Sequence, residues 1–459
     1  MTLPQRTIVV VGGLAAGPSA ASKAARTDPD ARVVLLEQSD TISYGICELP
    51  YYVGGIVRAE DLVVHTAESL KREKGVDVLL HHRVEEIRTG NCRLMVRDIN
   101  AGKAVEIGYD RLILATGATP RRLGLEGEDG ANVFHIRSLD SAHQLRHFID
   151  GARPRTAVII GAGFVGVEMA EALRERQIDV TLLERDELPL AGMAPQARAA
   201  MRDVLVKHGV RFCGNESPVA LGSQDGKRVT HVLTPHGTYP AEVVVVATGV
   251  VPNVGLARHA GITIGRHGGI LADQWQKTSA HNIYAAGDCC EVRNVVTNGW
   301  CYVPLATIAS RAGWVAGTNA AGGRAKFAGA LRATAVKVFD HEAVRIGLTE
   351  DEAKGAGFMP VVQTVTTPSR VGMMPGASKL TVTLIADRSS GRLLGGTLYG
   401  KEGAVHRSHA LAVALHQKLT VDAFRETDLA YAPTFSPLWD PLLVAANALS
   451  RELQSSGRS

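Results

Sequence analysis

Cys47 is the residue through which this chain could do covalent chemistry. It lies in Ser43-Tyr44-Gly45-Ile46-Cys47-Glu48-Leu49-Pro50-Tyr51-Tyr52-Val53-Gly54-Gly55, with no second thiol at redox-pair spacing. A lone thiolate can form a mixed disulfide, a persulfide or a sulfenic acid, and each is reducible by two electrons. A helix starting just after the cysteine would favour the thiolate, whereas Glu48 beside it would oppose that if it packed close by. By itself the residue also reads as an ordinary buried apolar cysteine. Redox work needs an electron source, and the rest of the chain must provide one.

Two glycine turns are suited to hold it. Ile8 to Val11 is a β-branched run fit for a buried parallel strand. It enters Gly12-Gly13-Leu14-Ala15-Ala16-Gly17, then a helical pattern from Ser19 to Arg26, then a run from Val33 to Leu36 that ends on Glu37. Strand, glycine turn, helix, strand and terminal acid form a dinucleotide-binding unit. Glycine lets the backbone approach a pyrophosphate, the helix N-terminus favours the anion, and the acid accepts from ribose hydroxyls. Leu14 replaces the usual middle glycine, so strand and helix context carry this assignment. The pattern repeats from Ala157. Val158 to Ile160 lead into Gly161-Ala162-Gly163-Phe164-Val165-Gly166, a helical stretch Val167 to Arg176 follows, and Val180 to Leu183 end on Glu184. One such match is weak; two in order are strong.

Other elements must position these turns. Residues 57–107, with Val76 to Leu80 and Arg93 to Val96, read as a helix plus a small antiparallel meander. A strand ending at Thr116 and Gly117 reads as the exit from the first unit, and Thr248-Gly249 as the return to it. Asn282 to Ala286 is another strand, ending on Gly287 and Asp288, whose carboxylate could accept from a ribityl hydroxyl. Beyond Gly322-Gly323-Arg324, strands at Thr334 to Phe339, Leu380 to Ile385 and Leu393 to Leu398 join helices near Ala404 to Leu415 and Leu438 to Leu449, which suits an α+β domain. The polar end, Glu452 to Ser459, is expected to fray.

Composition excludes several functions. A net charge of +4 with dispersed Lys and Arg argues against a nucleic-acid footprint. The most apolar stretch, Val243 to Ala257, is broken by Gly249, Pro252 and Asn253, so no membrane span is expected. Six cysteines, at 47, 92, 213, 289, 290 and 301, form neither metal-spaced pairs nor a secreted framework. A reducing cytoplasm fits, with Cys289 and Cys290 lining the core.

With these residues in place, the chain resembles the pyridine nucleotide-disulfide oxidoreductases, and within them the single-cysteine coenzyme A-disulfide and NAD(P)H persulfide reductases. Cys47 followed by Leu49-Pro50-Tyr51 carries the likeness, with Val336-Lys337-Val338-Phe339-Asp340, Gly400-Lys401-Glu402-Gly403 and Ala430-Tyr431-Ala432-Pro433. The resemblance implies an α/β chain with two Rossmann-like dinucleotide-binding domains and a C-terminal α+β dimerisation domain. Residues 1–120 and 250–326 would form the FAD domain, 121–249 the NAD(P) domain and 327–459 the dimerisation domain. It implies FAD on Gly12, Gly13, Ala15, Gly17, Glu37, Thr116, Gly117, Gly249, Gly287 and Asp288. The nicotinamide nucleotide falls to Gly161, Gly163, Gly166 and Glu184, with Phe164 as an aromatic gate and Glu168 as an acid near the flavin. Cys47 would be the redox centre, and Tyr431 of the neighbouring subunit in a homodimer would donate to the leaving thiolate.

The related NADH oxidases and peroxidases carry a histidine where this chain has Ala15, which favours a thiol-type substrate over oxygen or peroxide. A redox-sensing or electron-transferring flavoprotein is the alternative outside enzymes. Ile46 and Met373-Met374 stand where coenzyme A-disulfide reductases tend to carry an asparagine and a tyrosine. Both changes remove hydrogen-bond donors near the sulfur, so persulfides and other low-molecular-weight disulfides stand beside coenzyme A as substrates.

Overall fold

The structure, a computed structural model, describes residues 5–223 and 226–455. Two parallel five-stranded sheets organise its first two-thirds. The first runs Ile283–Ala285, Arg111–Leu114, Thr7–Val11, Arg32–Leu36, Asp77–Leu79. The second runs Arg211–Cys213, Asp179–Leu183, Thr156–Ile160, Val243–Val246, Val133–Phe134. Their central strands are unbroken Val/Ile/Leu runs because both faces are covered, and Ile8, Val9 and Val10 are fully buried.

On one face of the first sheet the helix Ala16–Thr27 packs on the helix Ala306–Ala320. Contact is close because Gly313 and Gly317 lie against the carbonyls of Ala16 and Ala20; a Cβ at either would come within 2.2 or 2.1 Å of oxygen. The opposite face is covered by an antiparallel meander, His82–Arg88, Arg93–Asp98 and Lys103–Gly108. Here one expectation is corrected. The Val76 to Leu80 run is not part of that meander: its strand Asp77–Leu79 is the parallel edge of the main sheet. The helix Ala67–Lys74, started by a Thr66–Ser69 capping box, makes the crossover that parallel pairing requires.

The turns at Gly117 and Gly249 lie on a two-stranded ribbon, Ala118–Pro120 against Val250–Pro252. Thr116 Oγ1 donates to the Asn253 carbonyl (2.7 Å) and Asn253 Nδ2 donates to the Thr116 carbonyl (2.8 Å), tying the two crossings together.

The last third is an antiparallel sheet ordered Thr334–Val338, His341–Gly347, Leu393–Gly400, Lys379–Asp387, Pro360–Pro368, covered by the helices Ala404–His416 and Pro441–Ser455. Two of these strands were not apparent from the sequence. His341–Gly347 carries Arg345 into the interior, where Glu352 and the Gly347 carbonyl satisfy it. Pro360–Pro368 is an edge strand rich in threonine, without an apolar run. The polar end does not fray at Glu452, since the helix continues to Ser455; residues 456–459 lie outside the described residues. The chain is therefore α/β, with two Rossmann-like units and an α+β C-terminal domain.

Candidate functional site

The two glycine turns are built alike. Gly12 and Gly161 take left-handed φ of +113° and +99°. A Cβ on Gly17 would lie 1.8 Å from the Gly12 carbonyl oxygen, and one on Gly166 1.9 Å from that of Gly161. Glu37 accepts the Gly13 N–H (2.7 Å), and Glu184 accepts the Ala162 N–H (2.6 Å). Their other oxygens accept from the backbone of Ser39 (2.9 Å) and Asp186 (3.2 Å). Each carboxylate thus fastens its own turn and keeps lone pairs for ribose hydroxyls. The following helices start at Ala16 and Phe164, with Ala15 and Gly163 as caps that make no side-chain bond. Their first N–H groups are therefore free for an anion. Nothing lies within 4 Å of where a Cβ of Gly163 would be, which leaves room for a pyrophosphate. Both turns fit a dinucleotide.

Gly287 takes φ +88°, and a Cβ there would lie 2.8 Å from the Ala16 methyl. It brings Asp288 beside the first unit. Asp288 Oδ2 accepts from Arg137 Nη2 (2.5 Å), whose Nε also points at the Ala118 carbonyl (3.4 Å). Tyr302 donates to the Asp288 carbonyl (2.8 Å), and burial, then the Asp288 charge, push its phenol up. Arg137 was missed in the sequence. It belongs to no motif, and its only signal is a basic residue ahead of the Ser138–Ser141 capping box.

Cys47 is the one exposed cysteine; Cys289, Cys290 and Cys301 are buried. It precedes a six-residue helix, Leu49–Gly54. Although this segment follows the first unit in sequence, Leu49 and Val53 are buried with Met169, Ala170 and Leu173 of the second. Gly54 lies on Ala172 of the second-unit helix, Phe164–Glu175. Tyr52 bonds His143 (2.8 Å) through its hydroxyl, and its carbonyl accepts from Arg146 (2.7 Å). At its start the Ser43 N–H donates to the Gly13 carbonyl (2.8 Å), so the cysteine segment touches both units.

The expectation that this helix would favour the thiolate is corrected. Its N-cap is Glu48 itself, and although Cys47 reaches the surface, partial desolvation by the atoms packed round it, then Glu48, then Glu168 push its thiol up, with Arg137 the cation that draws it down. A carboxylate at the start of so short a helix offsets its dipole.

Glu168 lies on the second-unit helix, half-buried, and its carboxyl is pushed up to about 7 by burial first, then by Glu171 and Glu48. Glu171, one turn on, is buried; it pairs with Lys337 and accepts the Phe339 N–H (2.7 Å). Tyr51, Glu168, Lys337, Phe339 and His341 are among the residues lining a cleft of about 430 Å³ between the cysteine helix, the second unit and the C-terminal domain. Phe164 begins the second-unit helix, partly buried against the same core. Tyr431 is not brought to Cys47 within one chain: it is half exposed near Phe435, Leu438 and Trp439, and among the described residues no hydrogen bond joins it to the cysteine loop.

Residues 6–313 match the family described as pyridine nucleotide-disulphide oxidoreductase, and residues 333–441 match its dimerisation domain. An NAD(P)H sulfur oxidoreductase (CoA-dependent) of Pyrococcus abyssi is 36% identical over 97% of this chain and 98% of its own. A protein of Methanocaldococcus jannaschii named NADH oxidase is 30% identical over 97% of this chain and 99% of its own. Among solved structures, an NAD-dependent persulfide reductase from A. fulgidus superposes with a TM-score of 0.94 at 35% identity, covering 98% of this chain and 84% of that one.

Proposed function

The chain belongs to the pyridine nucleotide-disulphide oxidoreductases, and on that premise we propose that it reduces a low-molecular-weight disulfide or persulfide at Cys47 with electrons from NAD(P)H. It is an NAD(P)H-dependent flavoprotein. Bound FAD supplies the two-electron relay between nicotinamide and sulfur. Residues 1–120 and 250–326 hold it: the turn from Gly12 to Gly17 takes the pyrophosphate, Glu37 a ribose, and Asp288, steadied by Arg137, the ribityl chain. Residues 121–249 take NAD(P)H on Gly161, Gly163 and Gly166, with Glu184 on its ribose.

The observation that carries this reading is Cys47 itself, the one exposed thiol of six, held on a segment that touches the first unit at Gly13 and the second through Leu49 and Val53. Its thiolate attacks one sulfur of the substrate, forming Cys47–S–S–R and expelling the other half as a thiolate. Two electrons then cleave the mixed disulfide and return the Cys47 thiolate and a second thiol. Tyr431 of the neighbouring subunit, on residues 327–459, donates to the departing sulfur. Coenzyme A-linked sulfur is the substrate class that the Pyrococcus relative's name supports. The name of the Methanocaldococcus relative favours oxygen as a second acceptor, but Ala15 presents only a methyl where those oxidases carry a histidine. The free cysteines suit a reducing cytoplasm, and no helix among the described residues is long and apolar enough to cross a membrane.

Cys47→Ser tests the reading. The variant should retain yellow FAD, still be bleached by NADH without oxygen, and lose NADH-driven disulfide and persulfide reduction, because serine cannot form the sulfur–sulfur intermediate. Full turnover in this variant would remove Cys47 from the reaction.

A further inference from the structure

The cleft beside the second unit contains an uncompensated acid. Among the described residues, the basic side chains along its wall are already engaged. Lys337 is paired with Glu171, while Lys401 (3.0 Å) and His341 (2.7 Å) both reach Asp340. Glu342 accepts the Ala404 N–H (2.6 Å). From the cysteine helix, Tyr51 lines the cleft and Glu48 adds a like charge, with Cys47 just before it. Among the described residues, Glu168 makes no hydrogen bond or ion pair, although it sits two residues past Gly166 on the helix whose N-terminus faces the glycine turn. Because Glu168 both lines the cleft and lies about one helical turn past Phe164, the cleft opens close to the glycine turn at the start of that helix.

We propose that Glu168 is a charge switch for the nucleotide, neutral when the reduced nicotinamide lies in the cleft and ionised against the cationic ring of the oxidised one. This rests on the reading of Gly161 to Gly166 as the NAD(P)H site. When NAD(P)H gives up a hydride, whose two electrons go on to the disulfide, its ring gains one positive charge. Release of the Glu168 proton to solvent supplies the matching negative charge beside it. The proton is taken back when the oxidised nucleotide leaves. Glu171 acts as a positioning residue: fixed by Lys337 and the Phe339 N–H, its carboxylate adds to the burial that pushes the Glu168 carboxyl up.

The sign follows from linkage. A proton lost on binding makes binding tighter as pH rises, by at most about tenfold per pH unit for one proton. The FAD-loaded protein is therefore titrated calorimetrically with NAD⁺ and with the non-reducing analogue 1,4,5,6-tetrahydro-NADH, from about one pH unit below to about one above the Glu168 midpoint of about 7. NAD⁺ should bind roughly threefold to tenfold tighter at the upper end, and the analogue should not. Glu168→Gln should abolish the dependence, Glu171→Gln should move it to lower pH, and His341→Gln should leave it in place. A flat NAD⁺ profile, a slope that survives Glu168→Gln, or one lost in His341→Gln overturns the proposal. If neither nucleotide binds at any pH, the second-unit reading falls with it; if both bind without pH dependence, only the switch is wrong.

Discussion

The two glycine turns share almost every local device, yet the helices behind them serve opposite ends. In the first unit the helix Ala16–Thr27 is sealed by Ala306–Ala320 at glycine distance, one small-residue face against another. In the second, Phe164–Glu175 turns its outer face to other parts of the chain: Gly54 of the cysteine helix, Lys337 of the C-terminal sheet and the cleft beside Glu168. A closed small-residue seam suits a ligand that stays, and a helix bordered by carboxylates and an opening suits one that comes and goes. On the function proposed above, the turn makes the nucleotide cradle, and what packs on its helix decides how the cradle is used.

The strongest way to break this comparison is to add one methyl to each cradle. In Gly17→Ala and Gly166→Ala the new Cβ would lie 1.8 and 1.9 Å from a carbonyl oxygen, so backbone must move at a cost at or above the upper end of roughly 1–3 kcal/mol. Gly17→Ala should purify without flavin absorbance. Gly166→Ala should stay yellow but resist bleaching by NADH. Loss of flavin from both would show that the units do not act separately.

A smaller effect sharpens the contrast between the two acids. Glu184→Ala should lower kcat/KM for NADH by about tenfold and raise it for NADPH, since a carboxylate suits a 2′-hydroxyl and repels a 2′-phosphate. Glu37→Ala should spare the donor preference and weaken retention of FAD. A strong native preference for NADPH would mean that exposed Arg185 governs instead.

The smallest effect lies where the units meet. Arg137→Met removes the cation that draws the Cys47 thiol down and leaves burial, Glu48 and Glu168 to push it up. A higher pKa means less thiolate at neutral pH, so iodoacetamide should alkylate Cys47 about two- to threefold more slowly, with parity regained at strongly alkaline pH. Unchanged alkylation would show that Arg137 serves Asp288 alone.

Much of the frame was readable in the chain. Val9 and Val158 announce buried parallel strands because both faces of such sheets exclude water, and the glycine turns announce themselves because no other residue fits between strand and helix. Glu37 and Glu184 follow, since strand length alone carries them to the edge of the turn. The Val76 to Leu80 run was misplaced because a short apolar run does not say whether its partner is parallel or antiparallel. Arg345 hid its strand, as a buried charge is tolerable only with Glu352 beside it, and that pairing is a tertiary fact.

What the sequence determined by itself is therefore local: strand, turn, helix and acid in each unit, and after the first of them Cys47 with no second thiol at redox-pair spacing. Only the tertiary structure decided the surroundings of that cysteine. Arg137 meets Asp288 across 151 residues, and Lys337 meets Glu171 across 166. Leu49 and Val53 sink into the second unit although they follow the first. Periodicity and turn chemistry act over a few residues, so they write the elements. Charge and burial act through space, where a neighbour's place in the sequence has no bearing, and they push the Cys47 thiol and the Glu168 carboxyl up.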